Sequence, residues 1–145
     1  MMIIKGVYQS GMGGANRSIK KQKGIFVRRG LSLENCFNGT ININSLPTRY
    51  RLIKFDTLFR NVIYWSVPRF RREDFGFIKI TSLKHKDKEY INWGYMYFAH
   101  KSPHSKNDHV FELLGPELKN LSKGDELELE VRDGMLECIS GPVDH

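Results

Sequence analysis

This chain of 145 residues is short of cysteine, with two, short of proline, with five, and has no long apolar run. No stretch approaches the roughly 20 apolar residues of a membrane-spanning helix, so no membrane partner is expected. The opening Met1-Met2-Ile3-Ile4-Lys5 lacks the layout of a signal peptide. The expected location is therefore the cytoplasm, with Cys36 and Cys138 as free thiols, since they form no metal-binding spacing. Internal repeats and low-complexity tracts are missing, and so is any long segment of helical period. There is no G-x-S-x-G elbow and no Cys/His pairing, which argues against nucleophilic catalysis. His100, His104 and His109 fall at spacings of four and five in an expected loop. No Cys or Glu motif completes a zinc site around them, so they read as exposed polar residues.

Acidic residues are scarce in one half only. Residues 1–72 carry 14 Lys and Arg against two acids, Glu34 and Asp56, a net charge of +12, while residues 73–145 carry nine against 14, a net −5. Such asymmetry favours an anionic partner for the first half, a nucleotide polyphosphate or a nucleic acid.

What is present is a succession of short alternating segments. Ile3 to Gln9, Thr40 to Ile43, Arg51 to Phe55, Val62 to Val67, Phe77 to Thr81, Tyr90 to Phe98, Val110 to Leu114 and Leu127 to Val131 all read as strands. The last of these alternates strictly with Glu126, Glu128 and Glu130. Lys84 to Lys88 reads as a hairpin turn, Arg69 to Asp74 as an exposed connection, and Glu117 to Leu121 as a short helical turn. The pattern predicts a mainly β domain, a closed barrel with short helical turns, over residues 1–139, with a frayed tail at 140–145. A monomer is expected.

Three features carry chemistry. In Thr40-Ile41-Asn42-Ile43, residues two apart share a face, so Ile41 and Ile43 turn to the core. Thr40 and Asn42 then present a hydroxyl and an amide oxygen together. Both are hard, neutral oxygens of the kind a Mg²⁺ ion leans on when it keeps most of its waters and binds substrate phosphates. Gly11, Gly13 and Gly14 form a loop whose backbone N–H groups can make an anion-binding nest, although the pattern is not a Walker loop. Tyr64, Trp65, Phe70 and Phe75 are interleaved with Arg60, Arg69, Arg71 and Arg72, a combination on which single-stranded nucleic acid can stack.

Taken in order, five segments resemble the archaeal-type CTP-dependent riboflavin kinase family, a small cradle-loop β-barrel. They are Gly6-Val7-Tyr8-Gln9-Ser10-Gly11-Met12-Gly13, Phe37-Asn38-Gly39-Thr40-Ile41-Asn42-Ile43, His104-Ser105, Phe111-Glu112-Leu113-Leu114-Gly115-Pro116 and Lys123-Gly124-Asp125-Glu126-Leu127. Their order and approximate spacing hold from residue 3 to about residue 132. The resemblance implies transfer of the γ-phosphate of CTP, or of another nucleoside triphosphate, to the 5′-hydroxyl of riboflavin, giving FMN. By the same resemblance, Gly11, Met12, Gly13, Gly14, Ala15, Asn16 and Arg17 line the nucleotide, and Glu117, Leu118, Lys119 and Asn120 complete its site. Thr40 and Asn42 hold Mg²⁺, and Glu112 binds the flavin with Ser102 or His104 near it. Two features depart from the family: Ala15 follows two adjacent glycines where the family alternates glycine, and the segment from Pro116 to Gly124 is short. Two other readings stay open, a basic β-barrel gripping RNA or single-stranded DNA through residues 60–75, and a non-catalytic flavin or nucleotide sensor.

Overall fold

The computed structural model describes residues 1–9, 26–28, 30–31, 40–64, 71–99 and 108–140, without the side chains of 61–64, 71–73 and 140. Nine strands account for most of them: β1 (Met2–Gln9), β2 (Ile41–Asn44), β3 (Arg49–Leu52), β4 (Thr57–Tyr64), β5 (Arg71–His85), β6 (Lys88–Ala99), β7 (Val110–Leu114), β8 (Glu126–Val131) and β9 (Leu136–Ser140). The chain is mainly β, as its alternation predicts. Strands β1, β2, β7, β6, β5 and β8 close into a ring, β4 lies beside β5 outside it, and β3 pairs with β9 separately. Every pairing is antiparallel.

Period-two patterning explains which side chains fill the ring. Leu127, Leu129 and Val131 of β8 are fully buried with Ile4, Ile43, Ile78, Ile80, Leu83, Met96 and Leu113. Each such aliphatic side chain contributes about 1.5–3 kcal/mol when removed from water. The intervening Glu126, Glu128 and Glu130 face out. At Gly94 of β6 a Cβ would stand 2.2 Å from the Leu114 carbonyl oxygen, so only glycine lets β7 approach that closely.

Strand β5 closes the ring. Its first half pairs with β4 as far as Phe77↔Thr57, and its last four residues pair with β8 from Ser82↔Glu130 to His85↔Leu127. Between the two ladders this edge of β5 has no neighbouring strand, so its backbone groups turn to side chains or water as partners. Asp56 supplies one: its Oδ2 accepts the Lys79 N–H at 2.7 Å, its own N–H donates to the Phe77 carbonyl at 2.9 Å, and its Oδ1 forms an ion pair with Arg132. Thr81 Oγ1 donates to the Glu130 carbonyl at 3.0 Å, tying β5 to β8 where their ladder begins.

The two ends of the ring differ. At the end reached by Met2, Asn44 and Val131, the β3–β9 ribbon packs Tyr50, Met135 and Leu136 against the core. At the other end, where Gln9, Ile41, Leu114 and the β5–β6 turn lie, Leu118 and Leu121 fold over the core. A second cluster covers part of the outer wall, where Phe26 and Leu31 pack on Phe75, Phe77, Tyr97 and Leu114. Among the described residues no helix is long and apolar enough to cross a membrane.

Several boundaries differ from the sequence reading. Residues 71–74, expected as an exposed connection, begin β5, since their ladder to β4 needs no apolar alternation. Strand β4 starts at Thr57, and the strand expected from Arg51 runs instead from Arg49 to Leu52. Residues 117–121 are irregular, with a turn only at Lys119–Asn120 and Asn120 at φ +64°, in place of the expected helical turn. Strand β9 was not anticipated.

Replacing Asp56 with Ala strands the Lys79 N–H and Arg132 together. Urea denaturation is expected to show a loss of about 1 kcal/mol, since the bond lies at the surface where water takes over part of it. A loss within the scatter of ordinary surface substitutions would mean that water replaces the carboxylate without cost.

Candidate functional site

The ladder register builds a row of side chains across the outer wall. Gln9 of β1 is paired with Asn42 of β2, Asn42 with Glu112 of β7, Glu112 with Tyr97 of β6, and Tyr97 with Phe77 of β5. Directly opposite residues project from the same face. Ile43 and Phe111, one position along, turn into the core. Thr40, just before β2, reaches the same row, and its Oγ1 donates to Glu112 Oε1 at 3.4 Å. Asn42 is only 3% exposed. The result is a hydroxyl, an amide and a carboxylate grouped beside a wall of buried aromatic rings, with Tyr97 stacked on Phe75 at 6.1 Å between centroids.

This donor set suits a hard cation. Mg²⁺ prefers oxygen ligands and takes one or two from protein when phosphates and water supply the rest. Thr40 keeps lone pairs available while its proton goes to Glu112, and the carboxylate adds negative charge to two neutral oxygens. Among the described residues no three His, Cys, Asp or Glu converge on one point. A cation at this row would accordingly be held by mixed oxygens rather than by a carboxylate or histidine cage.

A second polar cluster lies on the other flank of β1. The Tyr8 N–H donates to the Asp125 carbonyl at 2.8 Å, and the Gly124 N–H donates to the Tyr8 carbonyl at 3.0 Å. Asp125 Oδ2 accepts from His85 Nε2 at 2.8 Å and from the Ser122 N–H at 2.9 Å. The His85 hydrogen bond, then that of Ser122, holds the Asp125 carboxyl below the usual carboxylate range. Lys86, in the β5–β6 turn at φ +55°, donates from Nζ to the Asn120 carbonyl at 3.1 Å. A non-glycine residue in that region costs about 1–2 kcal/mol, so a contact fixed by it is a candidate for function.

Of the residues assigned from sequence, Thr40, Asn42 and Glu112 come together on one face. Glu117, Lys119 and Asn120 are exposed and Leu118 is buried, on the segment tied to Lys86. Gly11 to Arg17, Ser102 and His104 lie outside the described residues, as do Cys36, His100, Trp65, Arg69 and Phe70. Cys138 is exposed on β9. His109 hydrogen-bonds through Nδ1 to Asp108 at 2.9 Å, at the β3–β9 end of the ring. Phe75 is fully buried in the second cluster, so it offers no stacking surface to nucleic acid. Two residues to which sequence reasoning gave no role, His85 and Lys86, organise the backbone here. Only the Lys123-Gly124-Asp125 motif pointed toward this region.

No family model matches the chain, and no curated protein matches it.

The Asp125 carboxyl has a folded pKa below its unfolded value. Its contribution to stability is therefore present above the unfolded value near pH 4 and lost as pH falls through the lower folded value. Asp125→Asn should be less stable than wild type at pH 6, and the gap should narrow below about pH 4. Denaturation curves at the two pH values check this. A gap independent of pH would show that the His85 contact does not depend on the charge of Asp125.

Proposed function

We propose that the chain is a Mg²⁺-dependent kinase of the riboflavin kinase type, transferring the γ-phosphate of CTP or another nucleoside triphosphate to the 5′-hydroxyl of riboflavin. The observation that carries this reading is the hydrogen bond from Thr40 to Glu112, made across 72 residues of sequence beside Asn42. Two motifs that the resemblance assigns to metal and to flavin thereby share one face of the outer wall. Phosphoryl transfer asks for that proximity, because it depends on positioning and charge neutralisation more than on a strong nucleophile.

In this reading Thr40 and Asn42 hold the metal, which when bound neutralises charge on the phosphates. Glu112 accepts hydrogen bonds from the flavin, and its link to Thr40 keeps the two substrates in register. Gln9, the last residue of β1 before the glycine-rich sequence, is paired with Asn42. The net charge of +12 on the first half draws the polyphosphate in.

Incubation with riboflavin, Mg²⁺ and each of the four nucleoside triphosphates, followed by chromatography, should yield FMN with at least one of them. Chelation of the metal should abolish the product. No FMN with any of the four overturns the proposal.

Asn42→Ala should lower turnover by about 10²–10³-fold, the usual loss for one metal or oxyanion contact, while quenching of riboflavin fluorescence stays near wild type. Glu112→Ala should weaken flavin binding first, and metal affinity with it, because Thr40 loses its acceptor. Normal turnover in Asn42→Ala would reduce the pair to strand surface.

A further inference from the structure

The β5–β6 turn makes a contact that neither the motifs nor the charge asymmetry anticipates. Its tip residue Lys86 adopts a left-handed conformation, φ +55°, that glycine takes without strain. From there its Nζ donates to the Asn120 carbonyl at 3.1 Å and lies 3.8 Å from Asp125 Oδ2. Asn120 is itself left-handed at φ +64°. The anchor behind this contact is firm: His85, 3% exposed, holds Asp125 at 2.8 Å, and Asp125 in turn accepts the Ser122 N–H. On its other side the segment is fixed by Leu118, buried in the core. Glu117 and Lys119 are left exposed between an apolar anchor and a polar one.

A groove of about 350 Å³ opens beside the contact, lined by Lys84, Lys86, Asp125, Glu126 and Glu128. Three carboxylates against two ammonium groups make it a poor site for phosphate by itself. Lys86 is better placed to act through Asn120 than to collect an anion directly.

We propose that Lys86, backed by His85 and Asp125, is a positioning residue that fixes the 117–120 segment and so sets nucleotide affinity without touching the reacting atoms. The inference rests on the nucleotide role that the riboflavin kinase reading gives to Glu117–Asn120.

The test compares Lys86→Gly, Lys86→Met and Lys86→Arg in the full chain. Glycine accepts the backbone conformation, so Lys86→Gly should melt no lower than wild type and yet lose the contact. Both Lys86→Gly and Lys86→Met should raise the nucleotide KM about threefold, the modest effect of losing one exposed ammonium contact that orders the segment, with a smaller change in kcat and none in the riboflavin KM. Lys86→Arg should restore most of the affinity. Amide hydrogen exchange at residues 118–122 should speed up in the Gly and Met variants, while β1 and β8 stay protected. Unchanged nucleotide KM in both variants, with normal FMN production, overturns the inference. If wild type makes no FMN from any triphosphate, the kinase reading falls. Exchange then decides the positioning contact, and unchanged rates at 118–122 overturn it too.

Discussion

The structure depends on one strand changing partners. A 15-residue β5 is twice the length of most strands here, and it spends its first half on β4 and its last four residues on β8. Closure of the ring follows from that transfer, because β8 must reach β5 after β4 has left. The four residues between the ladders are where the sheet is most exposed to failure. Asp56 takes the Lys79 N–H there, Arg132 neutralises that carboxylate, and the Thr81 hydroxyl ties the strand to the Glu130 carbonyl of β8. A closed ring has no free edges of its own, which leaves β4 as the strand that extends the sheet beyond it.

From closure comes the difference between the two ends. The β3–β9 ribbon plugs one end with Tyr50, Met135 and Leu136, an apolar seal. The opposite end carries the polar groups: Thr40, Asn42 and Glu112 on the outer wall on one flank of β1, and His85, Lys86, Asp125 and Asn120 on the other. Strand β1 touches both, through Gln9↔Asn42 and through the hydrogen bonds of Tyr8 with Asp125 and Gly124. Between these two flanks the core of the ring stays apolar.

Much of this was legible in the sequence because alternation is a strong signal where one face is buried. Strands β1, β2, β7 and β8, and the inward turn of Ile43 with the outward turn of Asn42, follow from period two alone. Residues 71–74 did not read as strand, since Arg-Arg-Glu-Asp has no apolar face to reveal and its pairing with β4 is purely a matter of backbone. The segment at 117–121 was misjudged as helical because Leu118 and Leu121, three apart, mimic a helical face while in fact reaching the core from irregular chain. Nothing local announces that His85, in a run of lysines, is buried, or that Asp56 will bond an N–H on β5. Such contacts are set by ring closure, which joins residues tens of positions apart. The grouping of Thr40 with Glu112 was implied only by resemblance, and the register supplies its geometry.

The central claim is that the Thr40–Asn42–Glu112 row is where a divalent cation and a nucleotide meet. The most direct measurement is paramagnetic broadening of backbone amide signals by Mn²⁺, used as a Mg²⁺ substitute, with CTP present. The account predicts broadening centred on residues 40–42 and 112 and on Gln9, with the β3–β9 ribbon unaffected. Broadening centred instead on the acidic outer face of β8, at Glu126, Glu128 and Glu130, would contradict it.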